Sequence, residues 1–463
     1  MQIESILAIA GITAAGAIFF INQRKKSTSN EDSFPDLPGV PLLGNLLDIL
    51  GPDMKKKVHA ARSPAYLRLP GLPPTLVFDD PALIKQVLGK TSPSYFILGD
   101  KQFRFPHGIF SAVGAEHKRL RTLGMRALSK SVLVASFDEI KTRAGEALER
   151  LATKTGLVDP SETLRSYAYQ TICVIMGGGN SVQFGRLLDT YPYAAAIGVG
   201  LRARFWPRFL DFGENIEKGE TALDLLIAET CRIAVERRAA MEAGEQFSDA
   251  LSALIDARDS EDSSLSDNIV FVFHVDFSWL GHQLTSAFYF LAYKITEGDL
   301  ARLRAEVSAP SALESEASIS SLPLLDAFVK ETQRMLPVLP QTNRVLTEDI
   351  ILNGKRVPAG TTIGPLRDLG FLVTENPDDF RLDHFLGDNA FDSVNTNFLP
   401  FGMGERMCLG MNLAKLEMRI MIATLLRSYE ILKGPGVPSF VYYPAKTVSS
   451  LVQLKPLIKA KED

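Results

Sequence analysis

Cysteine is scarce in this chain: 463 residues contain only Cys173, Cys231 and Cys408. So small and odd a number excludes a disulfide framework and points to a reducing compartment for the globular part. Basic tracts are also missing beyond the short cluster Arg24, Lys25 and Lys26, and the formal net charge is −4. Both argue against a nucleic-acid binder. No long Pro/Gly/Ser linker, internal repeat or low-complexity stretch divides the sequence. Length alone would allow about three domains at roughly 150 residues each. With nothing to separate them, and 46% hydrophobic against 22% charged residues, one large domain with ample core is expected. Extended β-type runs are few and fall mostly after residue 340, so that domain should be mainly α with small β-sheets.

The chain opens with "ILAIAGITAAGAIFFI", Ile6 to Ile21, an uncharged apolar run joined at once to the basic cluster. It is slightly short of the ~20 residues that cross a bilayer, and it lacks the basic leading region of a cleaved signal. Positive charge on its far side places the rest of the chain in the cytoplasm. Residues 1–26 are therefore read as a single-pass membrane anchor, with a cleaved leader or organellar targeting segment as the alternative. Residues 27–45 are read as a polar, then proline-rich hinge, because Pro35, Pro38 and Pro41 fix φ and remove amide donors. Residues 46–463 form the remaining globular domain. Helical patterns dominate it: Ser136–Ala152, Lys218–Ala243, Asp267–Ile295, Leu322–Met335 and Met411–Ser428. "VLTEDIILNGKRVPAG" reads as a hairpin turning at Asn353–Gly354.

Cys408 stands in "FLPFGMGERMCLGMNLAKLE". A lone buried cysteine is usually a small hydrophobe, and three features oppose that here. Gly402, Gly404 and Gly410 allow backbone conformations and close approaches that side chains would block. Arg406 places a cation two residues from the sulfur. A helix starting near Met411 turns the positive end of its dipole toward it, favouring thiolate. No histidine lies within twenty residues to serve as a base, and no second cysteine completes a zinc or iron–sulfur set. One thiolate without other local ligands leaves haem as the simplest metal centre.

The segment from Phe401 through Gly404, Arg406 and Cys408 to Gly410 resembles the haem-thiolate signature F-x-x-G-x-R-x-C-x-G of the cytochrome P-450 family, in its membrane-anchored eukaryotic form. "KETQR" resembles the family's E-x-x-R, with Glu331 and Arg334 on one helix face. "NPDDFRLDHF" resembles the segment that supplies their third partner, but His384 stands at the usual arginine position. The resemblance implies the family's single-domain fold, haem b (iron protoporphyrin IX) as cofactor, Cys408 as its axial metal ligand, and a haem-thiolate catalytic domain over 46–463. It also implies a cofactor-binding set of Phe401, Gly402, Arg406 and Gly410, with His117, Arg121 and Arg344 at propionate-binding positions. Glu331, Arg334 and His384 would form a structural lock.

The central helix departs from the family. Its acid–alcohol pair, which delivers protons to dioxygen, falls on Gln283 and Leu284, flanked by His282 and Thr285. Two enzymatic functions are compatible with the resemblance, and a non-enzymatic haem protein that binds a lipid or a partner is a third reading. The first is a monooxygenase that oxidises a lipophilic small molecule (terpenoid, sterol, carotenoid or fatty acyl type). It would draw electrons from a separate NADPH-dependent reductase at the endoplasmic reticulum membrane, or at an organellar one. The second is a dioxygen-independent isomerase or dehydratase acting on a peroxide, epoxide or other pre-oxidised substrate. Lys118, Arg119, Arg126, Lys415 and Arg419 would offer the reductase a basic face. Phe105, Phe273, Asp276, Phe277, Leu280 and Leu339 are the expected substrate-pocket residues, largely apolar with one carboxylate.

Overall fold

A computed structural model describes residues 33–41, 43–50, 54–61, 64–69, 73–88, 91–93, 109, 112–154, 156–177, 215–256, 279–339, 343–365, 378–387, 398–441 and 447–457. The expected anchor lies outside them. Among the described residues no helix is long and apolar enough to cross a membrane.

The helices are α1 (Leu46–Leu50), α2 (Met54–Ala61), α3 (Pro81–Leu88), α4 (Gly114–Ala127), α5 (Lys130–Ala152), α6 (Ser161–Gly177), α7 (Asn215–Glu242) and α8 (Ala250–Asp256). After them come α9 (Gly281–Tyr293), α10 (Glu297–Ser308), α11 (Glu316–Ser320), α12 (Pro323–Met335) and α13 (Met411–Ser428). Local chemistry sets their ends. Pro323 opens α12, where its missing N–H costs nothing, and Arg334 lies in its last turn. Thr296 accepts from the Asp299 N–H at 3.1 Å to start α10.

Strands β1 (Ala65–Leu67), β2 (Thr75–Phe78), β3 (Thr91–Pro93), β4 (Arg344–Leu346) and β7 (Thr362–Pro365) form one sheet in the order β1-β2-β7-β4-β3. Between β4 and β7, the hairpin of β5 (Ile350–Leu352) and β6 (Lys355–Val357) turns on Asn353 at φ 47° and Gly354 at φ 76°. Both lie in the left-handed region that the favoured two-residue hairpin turn requires. Two further antiparallel pairs join β8 (Tyr429–Lys433) to β11 (Val452–Pro456) and β9 (Ser439–Val441) to β10 (Thr447–Ser449).

The main core is helical. Ile140, Leu148, Tyr167, Ile172, Phe288, Phe328, Ile420 and Leu425 are fully buried in it, joining α5, α6, α9, α12 and α13. A second apolar cluster, including Leu76, Ile84, Val87 and Ile363, sits on the five-stranded sheet.

Within the expected stiff, proline-rich hinge, residues 35–37 pair with β1. The Leu37 N–H donates to the Tyr66 carbonyl at 2.9 Å, and the Tyr66 N–H to the Pro35 carbonyl at 2.8 Å. Phe34, Leu37 and Asn45 are buried. The prolines keep this stretch extended, and extension lets the residues between them pair with β1.

Trp279 and Leu280 form a π turn at the entry to α9. From there Gly281 meets α6 directly. A Cβ on Gly281 would lie 2.4 Å from Arg165 Cγ and 2.9 Å from Arg165 Cα. Gly281→Ala must therefore push the two helices apart, at a cost of about 1–3 kcal/mol typical of overpacking. Chemical denaturation should show a lower midpoint for this variant. An unchanged midpoint would mean that the helices do not touch there.

Candidate functional site

The lock is buried in the core. Glu331 and Arg334 sit one turn apart on α12, with side chains 0% and 1% exposed. The Arg334 guanidinium donates through Nε to Glu331 Oε2 and through Nη2 to Oε1, both at 2.7 Å, a bidentate pair. Nη2 also donates to the Asp379 carbonyl at 2.9 Å. Two more donors converge on Glu331 Oε1: His384 Nδ1 at 2.9 Å and the Arg381 N–H at 2.9 Å. Burial alone would raise the Glu331 pKa, but the hydrogen bonds from Arg334 and His384 outweigh it and hold the carboxyl below the ordinary range. His384 thus occupies the third corner of the triangle through its imidazole.

The cysteine loop is built by its glycines. Gly402 and Gly404 adopt φ 74° and 72°, conformations that L side chains rarely take. The Gly402 N–H donates to the Leu399 carbonyl at 3.0 Å, and the Met407 N–H to the Gly404 carbonyl at 3.1 Å. The Cys408 N–H donates back to the Phe401 carbonyl at 2.8 Å, folding the loop into a tight hairpin. Helix α13 starts three residues beyond the thiol. A Cβ on Gly410 would lie 4.0 Å from the Cys408 Sγ, an ordinary contact.

Cations converge beside this loop from three parts of the chain. Arg406 donates to the Ala112 carbonyl at 2.6 Å and to the Ile109 carbonyl at 3.4 Å. Arg121 on α4 donates to the Met407 carbonyl at 2.8 Å. Arg344 is buried on β4, and His117 is buried on α4 one turn before Arg121. The His117 pKa is pushed down to about 4, first by burial and then by Arg406, Arg121 and Arg344. Three guanidiniums near a neutral imidazole form a site with excess positive charge, which suits a ligand carrying two carboxylates. The residues fit a haem with its propionates.

The central-helix residues part company. Gln283 is buried, and its Nε2 lies 3.5 Å from the Leu336 carbonyl, just past the end of α12. Leu284 is fully buried, one turn after buried Leu280. Thr285 donates its hydroxyl to the Gly281 carbonyl at 2.8 Å, on the side facing α6. His282 has a buried Nδ1 without a hydrogen-bond partner among the described residues. Its pKa is lowered to about 4 by burial and then by Arg165. Leu339 is half-buried beyond α12. Phe105, Phe273, Asp276 and Phe277 lie outside the described residues.

The expected basic face is narrower than the charges suggest. Lys118 and Arg126 are exposed, but Arg119 pairs with Glu116 at 2.6 Å and Arg419 pairs with Asp326. Lys415 is half-buried over the Phe401 ring, and burial lowers its pKa. Arg165, Gly124 and Leu409 join the site without any motif in the sequence to mark them. A glycine inside α4 is the available signal for the last two.

A mainly helical body carrying one thiol on a glycine-rich hairpin, with buried Arg344 and half-buried Arg121 and Arg406 beside it, fits a haem-thiolate oxidoreductase. The chain belongs to the cytochrome P-450 family, whose family model, Cytochrome P-450, matches residues 35–450. It is 25% identical over 405 residues to cytochrome P-450 3A40 of Oryzias latipes, 80% of each chain. To cytochrome P-450 83A1 of Arabidopsis thaliana it is 25% identical over 474 residues, 91% of each. In structure it is similar to the retinoic acid bound cyanobacterial CYP120A1, with a TM-score of 0.77 at 22% identity, covering 92% of this chain and 100% of that one. The cofactor is haem, and the family's general activity is haem-thiolate monooxygenation.

Two outcomes test the geometry. Glu331→Gln removes one partner of a buried ion pair, which typically costs 3–5 kcal/mol. Unfolding should show a loss of about that size, whereas a near-neutral variant would mean that the pair does not hold the core. The second concerns His282, which binds its proton less readily folded (about 4) than at its ordinary 6.5. Between these values the unfolded chain binds more protons, so stability should fall as pH drops from 6.5 toward 4, by on the order of 3 kcal/mol at the limit. His282→Gln should flatten that slope in thermal unfolding measured against pH.

Proposed function

We propose that this protein is a monooxygenase of a lipophilic small molecule of the terpenoid, sterol, carotenoid or fatty acyl type. A separate NADPH-dependent reductase supplies its electrons. Cys408 would hold a haem through its thiolate, and the haem would supply the dioxygen chemistry. The observation that carries this reading is the convergence of Arg121, Arg344, Arg406 and His117 beside the Cys408 loop. In it, Arg121, Arg344, Arg406 and His117 bind the propionates, and Glu331, Arg334 and His384 hold α12 under the site. The substrate class is supported by Leu280 and Leu284, buried one turn apart on the central helix. Residues 1–26 are proposed to attach the protein to the endoplasmic reticulum membrane, on the strength of their apolar run and the basic cluster after it.

The second reading, a dioxygen-independent isomerase or dehydratase, is favoured by one particular of α9. Leu284 is fully buried where the family places an alcohol, and Gln283 turns its amide to the Leu336 carbonyl. Neither can act as a general acid, a contribution typically worth about 10²–10⁴-fold.

The deciding experiment compares turnover with and without reductase and NADPH, for the wild type and for Gln283→Asp/Leu284→Thr. Dependence on the donor, with better coupling of NADPH use to product in the double variant, is the expected result. Full turnover without any donor would overturn the monooxygenase reading. Cys408→Ala should abolish the thiolate-type ferrous–carbon monoxide band, and its retention would remove Cys408 as the ligand.

A further inference from the structure

Helix α4 carries a glycine in its interior, Gly124, with ordinary helical neighbours and no positive φ. Such a glycine weakens a helix relative to alanine, so something else must call for it. A Cβ placed there would lie 2.2 Å from Leu409 Cδ2, 3.6 Å from Leu409 Cγ and 3.9 Å from Leu409 Cδ1. The end of the leucine side chain therefore fills the space that a side chain at 124 would take. Leu409 is the residue immediately after the thiol.

One turn earlier on the same helix, Arg121 donates to the Met407 carbonyl at 2.8 Å, and Met407 immediately precedes the thiol. Both neighbours of Cys408 are thus held by residues three apart on α4, which share a helix face. Arg406 reinforces the grip through its bonds to the Ala112 and Ile109 carbonyls, just before α4 begins.

We propose that Gly124 is a positioning residue. Its missing side chain seats Leu409 and so fixes where the Cys408 sulfur stands. The idea rests on the reading of Cys408 as the axial ligand. An axial ligand's geometry and surroundings set the electron density it gives to the metal, so a displaced Leu409 should register in the spectrum and the reduction potential as well as in stability.

The test uses the full-length, haem-loaded protein and four chains: wild type, Gly124→Ala, Leu409→Ala and the double variant. Total haem is measured as the pyridine complex, and the thiolate-type share from the ferrous–carbon monoxide spectrum. Gly124→Ala is expected to lower that share about twofold or more and to shift the haem reduction potential. Leu409→Ala, which empties the notch without touching the helix, should lower the share too and keeps the idea testable if Gly124→Ala folds poorly. The double variant should match Leu409→Ala, with no added loss from the alanine. If the notch has no role, helix propensity alone acts: Gly124→Ala becomes more stable with an unchanged spectrum and potential, which overturns the proposal. An added loss in the double variant also overturns it, because the alanine would then act through something other than Leu409. A wild type without any thiolate-type band would remove the ligand reading and the proposal together.

Discussion

Placing Glu331 and Arg334 where neither meets water obliges the fold to keep them together. The desolvation of two buried charges is offset only if every lone pair and N–H finds a partner. Here each does much of that work with backbone from elsewhere: the Asp379 carbonyl takes one Arg334 N–H, and the Arg381 N–H reaches Glu331. The pair thereby ties α12 to the 379–385 segment, and Phe380 from that segment stacks on Phe290 of α9 at 4.7 Å. The ion pair is therefore linked, through the 379–385 segment, to α9. His384 in the third corner adds a donor that suits a carboxylate, but with one nitrogen where an arginine would offer a fork.

Around the thiol the constraint is charge of one sign. Burial first, and then Arg406, Arg121 and Arg344, lower the His117 pKa, and like charges this close also repel one another. Backbone carbonyls of Met407, Ala112 and Ile109 relieve part of this. A ligand carrying two carboxylates would relieve more of it. The carbonyls that orient these guanidiniums belong to the cysteine loop and to the residues leading into α4, so the cation cluster and the thiol's position are parts of one construction.

Much of this is legible in the residues, and the exceptions have physical reasons. The helix Met411–Ser428 has the bounds that its periodicity gives, and Pro323 marks the start of α12 one residue inside the expected Leu322. The Asn353–Gly354 turn reflects the positive φ those two residues tolerate. The pairing of residues 35–37 with β1 is not legible, because prolines announce extension but say nothing of what an extended segment will bond. Gly124 escapes notice for a related reason. In a periodicity reading a helical glycine registers only as weakness, and its value lies in Leu409, far away in the chain. His282 and Thr285 can be placed by helical spacing but not their partners, Arg165 and the Gly281 carbonyl, because those depend on how closely α6 approaches.

That approach decides what α9 can offer to chemistry. Gly281 lets Arg165 lie against the backbone, and this packing turns Thr285 toward α6, where its hydroxyl proton is committed to the Gly281 carbonyl. His282 cannot compensate as a cationic donor, because burial beside Arg165 keeps it neutral down to about pH 4. At the positions where the resemblance expects an acid and an alcohol, α9 carries the Gln283 amide and Leu284, and neither side chain can act as a general acid.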